Sequence, residues 1–565
     1  MPLLFLALLH LSLGVTRLLT EFGSPGVTPF AADLVVMNGK IWTGDPARPE
    51  ATAMAIHGGK ILRVGSDQDM DAFAGKRVID LKGRRVVPGF TDSHLHVLGG
   101  GLQLARVELK DCADEAEFGK RLKAFDETTP TDRWMLGGNW DHDRAFAGKL
   151  PTAATLDKYA PNRRIFLRRY DGHMALANAA VLKLAGITAE TKDPAGGVIE
   201  RLPDGKTPSG ILRDNAMDLV ARFVPEPSED EIREAVRAAQ LAFAKAGITS
   251  VQDMDGNSSA TRKLYFRVIQ QLAAKDKLTV RIDLRWPIAQ QKDLADLGVT
   301  AGFGSDSLRL GGVKGFMDGS LGSSTAKMFD GYVTDPKVTG VWVTEPDTMK
   351  RLVATADKAG LSVAIHAIGD RANSELLDIF AEVARANGPR DRRFRIEHAQ
   401  HLKPDDVKRF PAGDVVASMQ PYHLIDDARW AEGRIGAKRC ASSYCYRSLL
   451  DAKAKLAFGS DWPVAPLDIF EGIDAAVNRR PLDGKHPKGW FPEQRITVAE
   501  AVAAYTSGGA YAAGVEGTRG ILKEAMLADF AVLSKDIFDP AEKDALTKTT
   551  VAMTVVGGRI VWEMK

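Results

Sequence analysis

The sequence predicts an α/β fold: a TIM (β/α)8 barrel with an inserted cap subdomain, plus a small β-sandwich built from both chain ends. Three observations predict it. The middle of the chain alternates short apolar runs with longer helical stretches, the pattern of a parallel sheet with crossover helices. Eight such runs can be counted, the number a TIM barrel needs. Both chain ends are instead rich in short strands and tight turns.

At the start, Pro2 to Val15 is apolar apart from His10 and Ser12. The run is too short to span a bilayer, which takes roughly 20 residues, but it matches the apolar stretch of an export signal. No Lys or Arg precedes it, and no small-x-small cleavage site follows at once. Residues 1–32 are therefore expected to be a signal peptide that exports the protein to periplasm or medium. The alternative is a cytoplasmic protein with a mis-assigned start or a disordered extension. No other segment is apolar enough to form a stable membrane span.

Asp33–Ile41 reads as a strand interrupted by Asn38-Gly39, a hairpin signal. Ala53–Ile56 and Lys60–Val64 flank a His57-Gly58-Gly59 turn, and Val78–Leu81 and Arg85–Val87 continue the pattern. The C-terminus mirrors it, with Phe530–Leu533 and then Val551–Val556, Gly557-Gly558 and Arg559–Trp562. Residues 33–86 and 515–565 are expected to form one composite sandwich, with the barrel at 87–514 between them.

The barrel strands are expected at Arg85–Asp92, Ile248–Asp253, Val280–Arg285, Leu308–Met317, Leu361–His366, Phe394–His398, Val415–Gln420 and Lys455–Asp461. Helical stretches such as Glu229–Lys245 and Thr348–Ala359 lie between them. Residues from about 100 to 230 are too many for one crossover and are expected to form the cap, with its own strand at Arg164–Arg168 and a turn at Asp204-Gly205.

The 75 basic and 73 acidic residues nearly cancel, and no basic run or aromatic-interleaved basic patch is present. No nucleic-acid partner is expected. The partner expected is a small-molecule substrate. Cys112, Cys440 and Cys445 are too few and too scattered for a disulfide framework or a zinc ribbon.

The chemistry lies at the predicted strand ends. His94 and His96 close the first strand, and residues two apart on a strand share a face. Lys314 falls late in the fourth strand, His366 ends the fifth, His398 the sixth and Asp461 the eighth. TIM-barrel sites are assembled at the C-terminal strand ends, and imidazole and carboxylate suit zinc and related metals. One His-x-His is a weak signal and a lone histidine is usually core. The joint pattern is what argues for metal. Lys314 stands in an apolar run, where an unpaired ammonium is costly. Softer substrate-binding candidates are Trp140, Asp141, Asp171 and His173 in the cap, with Gln420 and His423 after the seventh strand. His142, His401 and His486 read as surface residues.

These residues sit in motifs: GFTDSHLH (89–96), GGVKGFMDGS (311–320), AIHAIGD (364–370), RIEHAQ (395–400), MQPYH (419–423) and FGSDWPV (458–464). GGNWD (137–141), DGHMALAN (171–178), GGVIE (196–200) and LADFAVL (527–533) join them. Together they resemble the amidohydrolase superfamily, and more narrowly the amidohydrolase 3 family, which includes N-substituted formamide deformylases. The resemblance runs from about residue 33 to 565. It implies one or two divalent metals per chain, zinc foremost, with His94 and His96 on the first and His366 and His398 on the second. It makes Asp461 both ligand and general base, and gives Lys314 the place of a carboxylated, metal-bridging lysine. A buried ion pair of Lys314 with Asp318 is the plainer alternative. Homodimers are common in the superfamily.

The reading that follows is a metal-dependent hydrolase of non-peptide carbon–nitrogen bonds, with amide or N-formyl substrates, in which metal-activated water attacks and Asp461 moves the proton. A mononuclear deaminase of a heterocycle is the second enzymatic reading, and a non-catalytic ligand-binding homologue the reading from another class. A peptidase stays open because fold alone does not set the substrate.

Overall fold

The computed structural model describes residues 30–109, 111–169, 174–194, 197–254, 259–322, 324–541 and 545–564. The export signal expected at residues 1–32 falls almost wholly outside them. Among the described residues no helix is long and apolar enough to cross a membrane.

The central sheet places eight parallel strands in chain order. They are Phe90–Leu95, Ile248–Asp253, Arg281–Pro287, Leu308–Phe316, Val363–Ala367, Arg395–His398, Val416–Met419 and Lys455–Phe458. The last strand returns to the first through backbone bonds beyond its end. Asp461 N donates to His94 O at 2.7 Å and His96 N to Trp462 O at 2.8 Å. Gly459 permits this approach, since a Cβ there would lie 2.5 Å from His94 N. The strands are buried along almost their whole length, as expected of a sheet covered on both faces. The largest apolar cluster joins the strands to the surrounding helices.

The helices form where the sequence supplies both a stripe and a cap. Glu229–Lys245 buries Ile232, Val236, Ala239 and Phe243 along one face. It starts in a capping box of Ser228 and Glu231, which satisfies two of the helix's orphan amides. It packs on Val97–Leu104 so closely that a Cβ on Gly101 would lie 2.3 Å from Ala235 O.

Between these two helices the chain builds the insert, a six-stranded sheet ordered Gly197–Arg201, Pro208–Asp214, Met174–Ala177, Phe166–Arg169, Gly137–Trp140 and Val107–Glu108. It has apolar clusters of its own. The Asp204-Gly205 turn joins two of its strands, with the Asp204 carboxylate accepting from the amides of Lys206 and Thr207.

Two further sheets are built from the chain ends, and one of them unites the two. One has four strands, all from residues 30–80. The other has six and pairs Arg85–Pro88 with Phe530–Leu533, next to Val551–Val556 and Arg559–Glu563. Two expectations are corrected here. Arg85–Pro88 belongs to this second sheet, and the first barrel strand begins only at Phe90. Pro88 and Gly89 separate the two, and a Cβ on Gly89 would strike the Thr249 side chain at 2.2 Å. Asn38-Gly39 is a turn, with Asn38 at φ 56°, but its flanking strands lie in different sheets and do not form a hairpin.

Candidate metal centre

One cavity of about 420 Å³ opens at the C-terminal ends of the barrel strands. His94, His96, Lys314, His366, His398, His423 and Asp461 all line it. Most arrive at or just after the ends of their strands, and His423 comes from the helix Pro421–Asp427 that follows the seventh. His398 and Asp461 have left-handed backbones, with φ of 74° and 62°, which turn their side chains out of the strand direction into the cavity. Such conformations are costly for residues with a Cβ and collect at functional sites.

Two triplets offer ligand atoms within 4.8 Å of one another: His94, His96 and Asp461, and His398, His423 and Asp461. Asp461 is common to both. Its Oδ1 lies 3.2 Å from His96 Nε2 and 3.5 Å from His94 Nε2, and its Oδ2 lies 3.7 Å from His423 Nε2. His366 stands beside them, its ring centroid 4.5 Å from that of His398. Its Nε2 donates to Gly319 O at 3.1 Å, and the second triplet is made with His423.

The donor set fits a cation. Burial, reinforced by Lys314, pulls the His94 imidazolium down to about 4 and the His366 imidazolium to about 3, so both rings are neutral with lone pairs to offer. Burial also holds His398 well below the ordinary range. Among the described residues, His398 Nδ1 and His423 Nε2 are buried with no hydrogen-bond partner, an arrangement that costs free energy unless a ligand fills it.

Beneath the cavity lies a charged layer that sequence reasoning missed. His94 Nδ1 donates to Glu397 Oε2 at 2.6 Å, which aims Nε2 at the cavity. Glu397 is in turn held by Arg395, at 2.8 and 3.1 Å. Burial works against its charge, yet Arg395 and His94 hold its carboxyl well below the usual carboxylate range. Arg395 also donates to Ser93 O and to Ser418 Oγ. The signal was present: two opposite charges two residues apart on a buried strand share a face. Asp92 accepts from Ser460 Oγ at 2.5 Å and from the amides of His94 and Ser460, tying the first strand to the loop that bears Asp461.

Lys314 is fully enclosed, its Nζ 3.4 Å from His94 Nε2. It forms no ion pair with Asp318, whose carboxylate accepts from the amides of Lys327, Ile368 and Gly369. Burial lowers the Lys314 ammonium to about 8.

The other candidates lie elsewhere. Trp140 is buried in the insert's own core and donates Nε1–H to Leu167 O at 2.9 Å. Asp141 faces Arg169 at 3.7 Å, and neither lines the cavity. Gln420 is buried, donates to Ser418 O and stays behind the cavity wall. Asp171 and His173 lie outside the described residues. His401, expected at the surface, is buried, with Nδ1 2.6 Å from Ser443 Oγ. The wall contains residues the sequence did not single out: Phe316, Gln400, Tyr422, Asp427 and Trp430.

Comparison with known proteins agrees with this geometry. The sequence profile of the amidohydrolase family matches residues 77–562. Protein LONG AFTER FAR-RED 3 of Arabidopsis thaliana is 43% identical, over 94% of this chain and 91% of that one. The N-substituted formamide deformylase of Arthrobacter pascens is 28% identical, over 94% of this chain and 98% of that one. A metal-dependent hydrolase of Pyrococcus horikoshii has the same fold with a TM-score of 0.73 and 28% identity, covering 89% of this chain and 98% of that one. A profile spanning most of the sequence, and a relative alike over nearly its whole length, place this chain in the amidohydrolase family of metal-dependent hydrolases.

Proposed function

We propose that the protein hydrolyses carbon–nitrogen bonds other than peptide bonds, with N-substituted formamides as its substrates. The observation that carries this reading is the convergence of two ligand triplets on one carboxylate, Asp461, inside a substrate-sized cavity. Likeness to the Arthrobacter deformylase over nearly the whole chain supports the formyl group. His94, His96 and Asp461 would hold one cation, and His398 and His423, with His366 beside them, a second. Zinc suits these nitrogen and oxygen donors. Lys314 would bridge the two as a carbamate. Burial leaves part of its amine uncharged at neutral pH, ready to take up carbon dioxide and release a proton.

When bound, the cation supplies Lewis acidity, polarising a carbonyl and lowering the pKa of water to about 7. Asp461 takes the proton of the attacking water and returns it to the departing nitrogen. Burial would raise its carboxyl, but His94, His96, His398 and His423 hold it well below the ordinary range, so it is ionised and ready as a base. Water oxygen bonds to the formyl carbon, the carbon–nitrogen bond breaks, and formate and the amine leave.

The test is a metal count joined to a formate assay on a panel of N-alkyl and N-aryl formamides. We expect two divalent cations per chain and release of formate. Asp461→Asn is expected to lower kcat by roughly 10²- to 10⁴-fold with thermal unfolding little changed. One cation per chain would remove Lys314 from its bridging place. Ammonia from amino-substituted heterocycles, without formate from any formamide, would replace this reading with the deaminase.

A further inference from the structure

Asp427 sits at the end of the helix Pro421–Asp427, four residues after His423. Residues four apart lie on one helix face, and four residues rise about 6 Å along the axis. Both side chains line the cavity. His423 points at Asp461, its Nε2 3.7 Å from Oδ2. Asp427 therefore lies one helical turn from His423, on the same wall.

Its two oxygens are used unequally. Tyr444 OH donates to Oδ2 at 2.6 Å, and Gln400 Nε2 donates to the same oxygen at 3.2 Å. Tyr444 and Gln400 are themselves hydrogen-bonded, so the carboxylate is braced from behind. Among the described residues none bonds Oδ1. The aromatic rings of Tyr422 and Trp430 belong to the same wall. Among the described residues the only lysine or arginine lining the cavity is Lys314, which is next to His94. A fixed carboxylate with one open oxygen, on a wall that also carries Tyr422 and a Trp430 ring already covered by the Arg434 guanidinium at 5.9 Å, is a receptor for a positively charged nitrogen.

We propose that Asp427 is a specificity-determining residue: its Oδ1 accepts a hydrogen bond from a cationic nitrogen of the substrate, so the preferred substrates are amides whose departing amine carries a second, protonated nitrogen. This rests on the hydrolysis proposed above. Because a formyl group has no side chain, the charge must be on the amine half. Hydrolysis then yields formate and a diamine, with one water consumed.

The experiment compares three formamides on metal-loaded protein: N-(3-aminopropyl)formamide, its uncharged counterpart N-butylformamide, and the anionic N-formyl-β-alanine. Wild-type protein is expected to favour the cation over the neutral compound in kcat/KM by roughly 10- to 100-fold, the worth of one charge-assisted hydrogen bond. Asp427→Asn keeps an acceptor for Tyr444 and should collapse that ratio, through KM more than kcat. The same variant should raise kcat/KM for the anion, an opposite-signed effect that a misfolded protein cannot produce. Calorimetry of the same three compounds reads binding without turnover. Selective binding of the cation, lost in Asp427→Asn, with no formate released would sustain the receptor and sink the hydrolysis. Formate release at equal rates from cation and neutral compound, or equal effects of Asp427→Asn on all three, would overturn the proposal and leave the hydrolysis standing.

Discussion

The imidazole of His94 has one nitrogen committed to Glu397, and that commitment decides what the other can do. With Nδ1–H donated at 2.6 Å, the ring is held as the tautomer whose Nε2 lone pair faces the cavity. Glu397→Gln would weaken the acceptor and leave Arg395 buried without its counter-charge. Removing such a partner typically lowers metal affinity by roughly 10- to 100-fold. Competition against a chromogenic chelator measures this, and an affinity equal to wild type would show that Glu397 only fills space. A second residue makes a prediction about acid. His401 is buried, and burial, helped by Arg439, lowers its pKa to about 3. The unfolded chain takes up that proton near pH 6.5, whereas the folded protein refuses it. His401 therefore costs nothing above about pH 6.5. As pH falls from there toward 3, it lowers stability with a limiting slope of about 1.4 kcal/mol per unit. His401→Asn, which can still pair with Ser443, should flatten the pH dependence of urea unfolding by about one proton between pH 4 and 6. A parallel curve, merely displaced, would mean that His401 is protonated in the folded state.

At the scale of elements, the barrel closes because the loop after the eighth strand lies against the first. Gly459 makes that possible. Gly459→Ala would drive a methyl group to within 2.5 Å of His94 N and 2.8 Å of Asp92 Oδ1. Overpacking of this kind costs about 1–3 kcal/mol, and here the displaced backbone carries His94 and Asp461. Thermal unfolding should move down and metal content should fall together. Loss of stability with full metal content would separate the closure from the site. The strands themselves were legible from apolar runs of the right length: Ile248–Asp253, Phe530–Leu533 and Val551–Val556 appear with the bounds their residues suggest. What the runs do not encode is partnership. Arg85–Asp92 reads as one strand because both halves are apolar, yet the chain changes sheet at Gly89. Asn38-Gly39 specifies a local turn, not which strands it joins. The strand-end histidines, Lys314 and Asp461 were legible because strand ends in a barrel converge. Glu397 was not singled out, because its role comes from its contacts with His94 and Arg395 beneath the cavity. Trp140 and Asp141 went the other way: a motif in the insert suggested a contact with substrate, but the insert folds around its own core.

For the whole molecule, the remaining question is how two chain ends that meet in one sheet hold the barrel between them. The third barrel strand begins with Arg281, whose guanidinium donates to both oxygens of Asp529 at 2.6 and 2.9 Å. Asp529 immediately precedes the strand Phe530–Leu533 and also accepts from Gly557 N at 2.7 Å in the C-terminal hairpin. One buried carboxylate thus joins the barrel, the sheet and the hairpin turn. Thr554, which donates to Ala244 O at 2.6 Å, adds a second tie to the helix before the second barrel strand. Breaking a buried pair by removing one partner costs about 3–5 kcal/mol, because the other charge stays buried alone, whereas replacing both by apolar groups is often neutral. Asp529→Ala is therefore expected to lower the unfolding free energy by about that amount, and Arg281→Met with Asp529→Leu to recover most of it. Urea unfolding followed both by tryptophan fluorescence and by metal release measures this. If the pair only anchors the ends, the Asp529→Ala protein loses the sheet at lower urea than it loses metal. Coincident transitions would instead show that barrel and sandwich unfold as one cooperative unit, with Asp529 as much a part of the barrel's stability as its own strands.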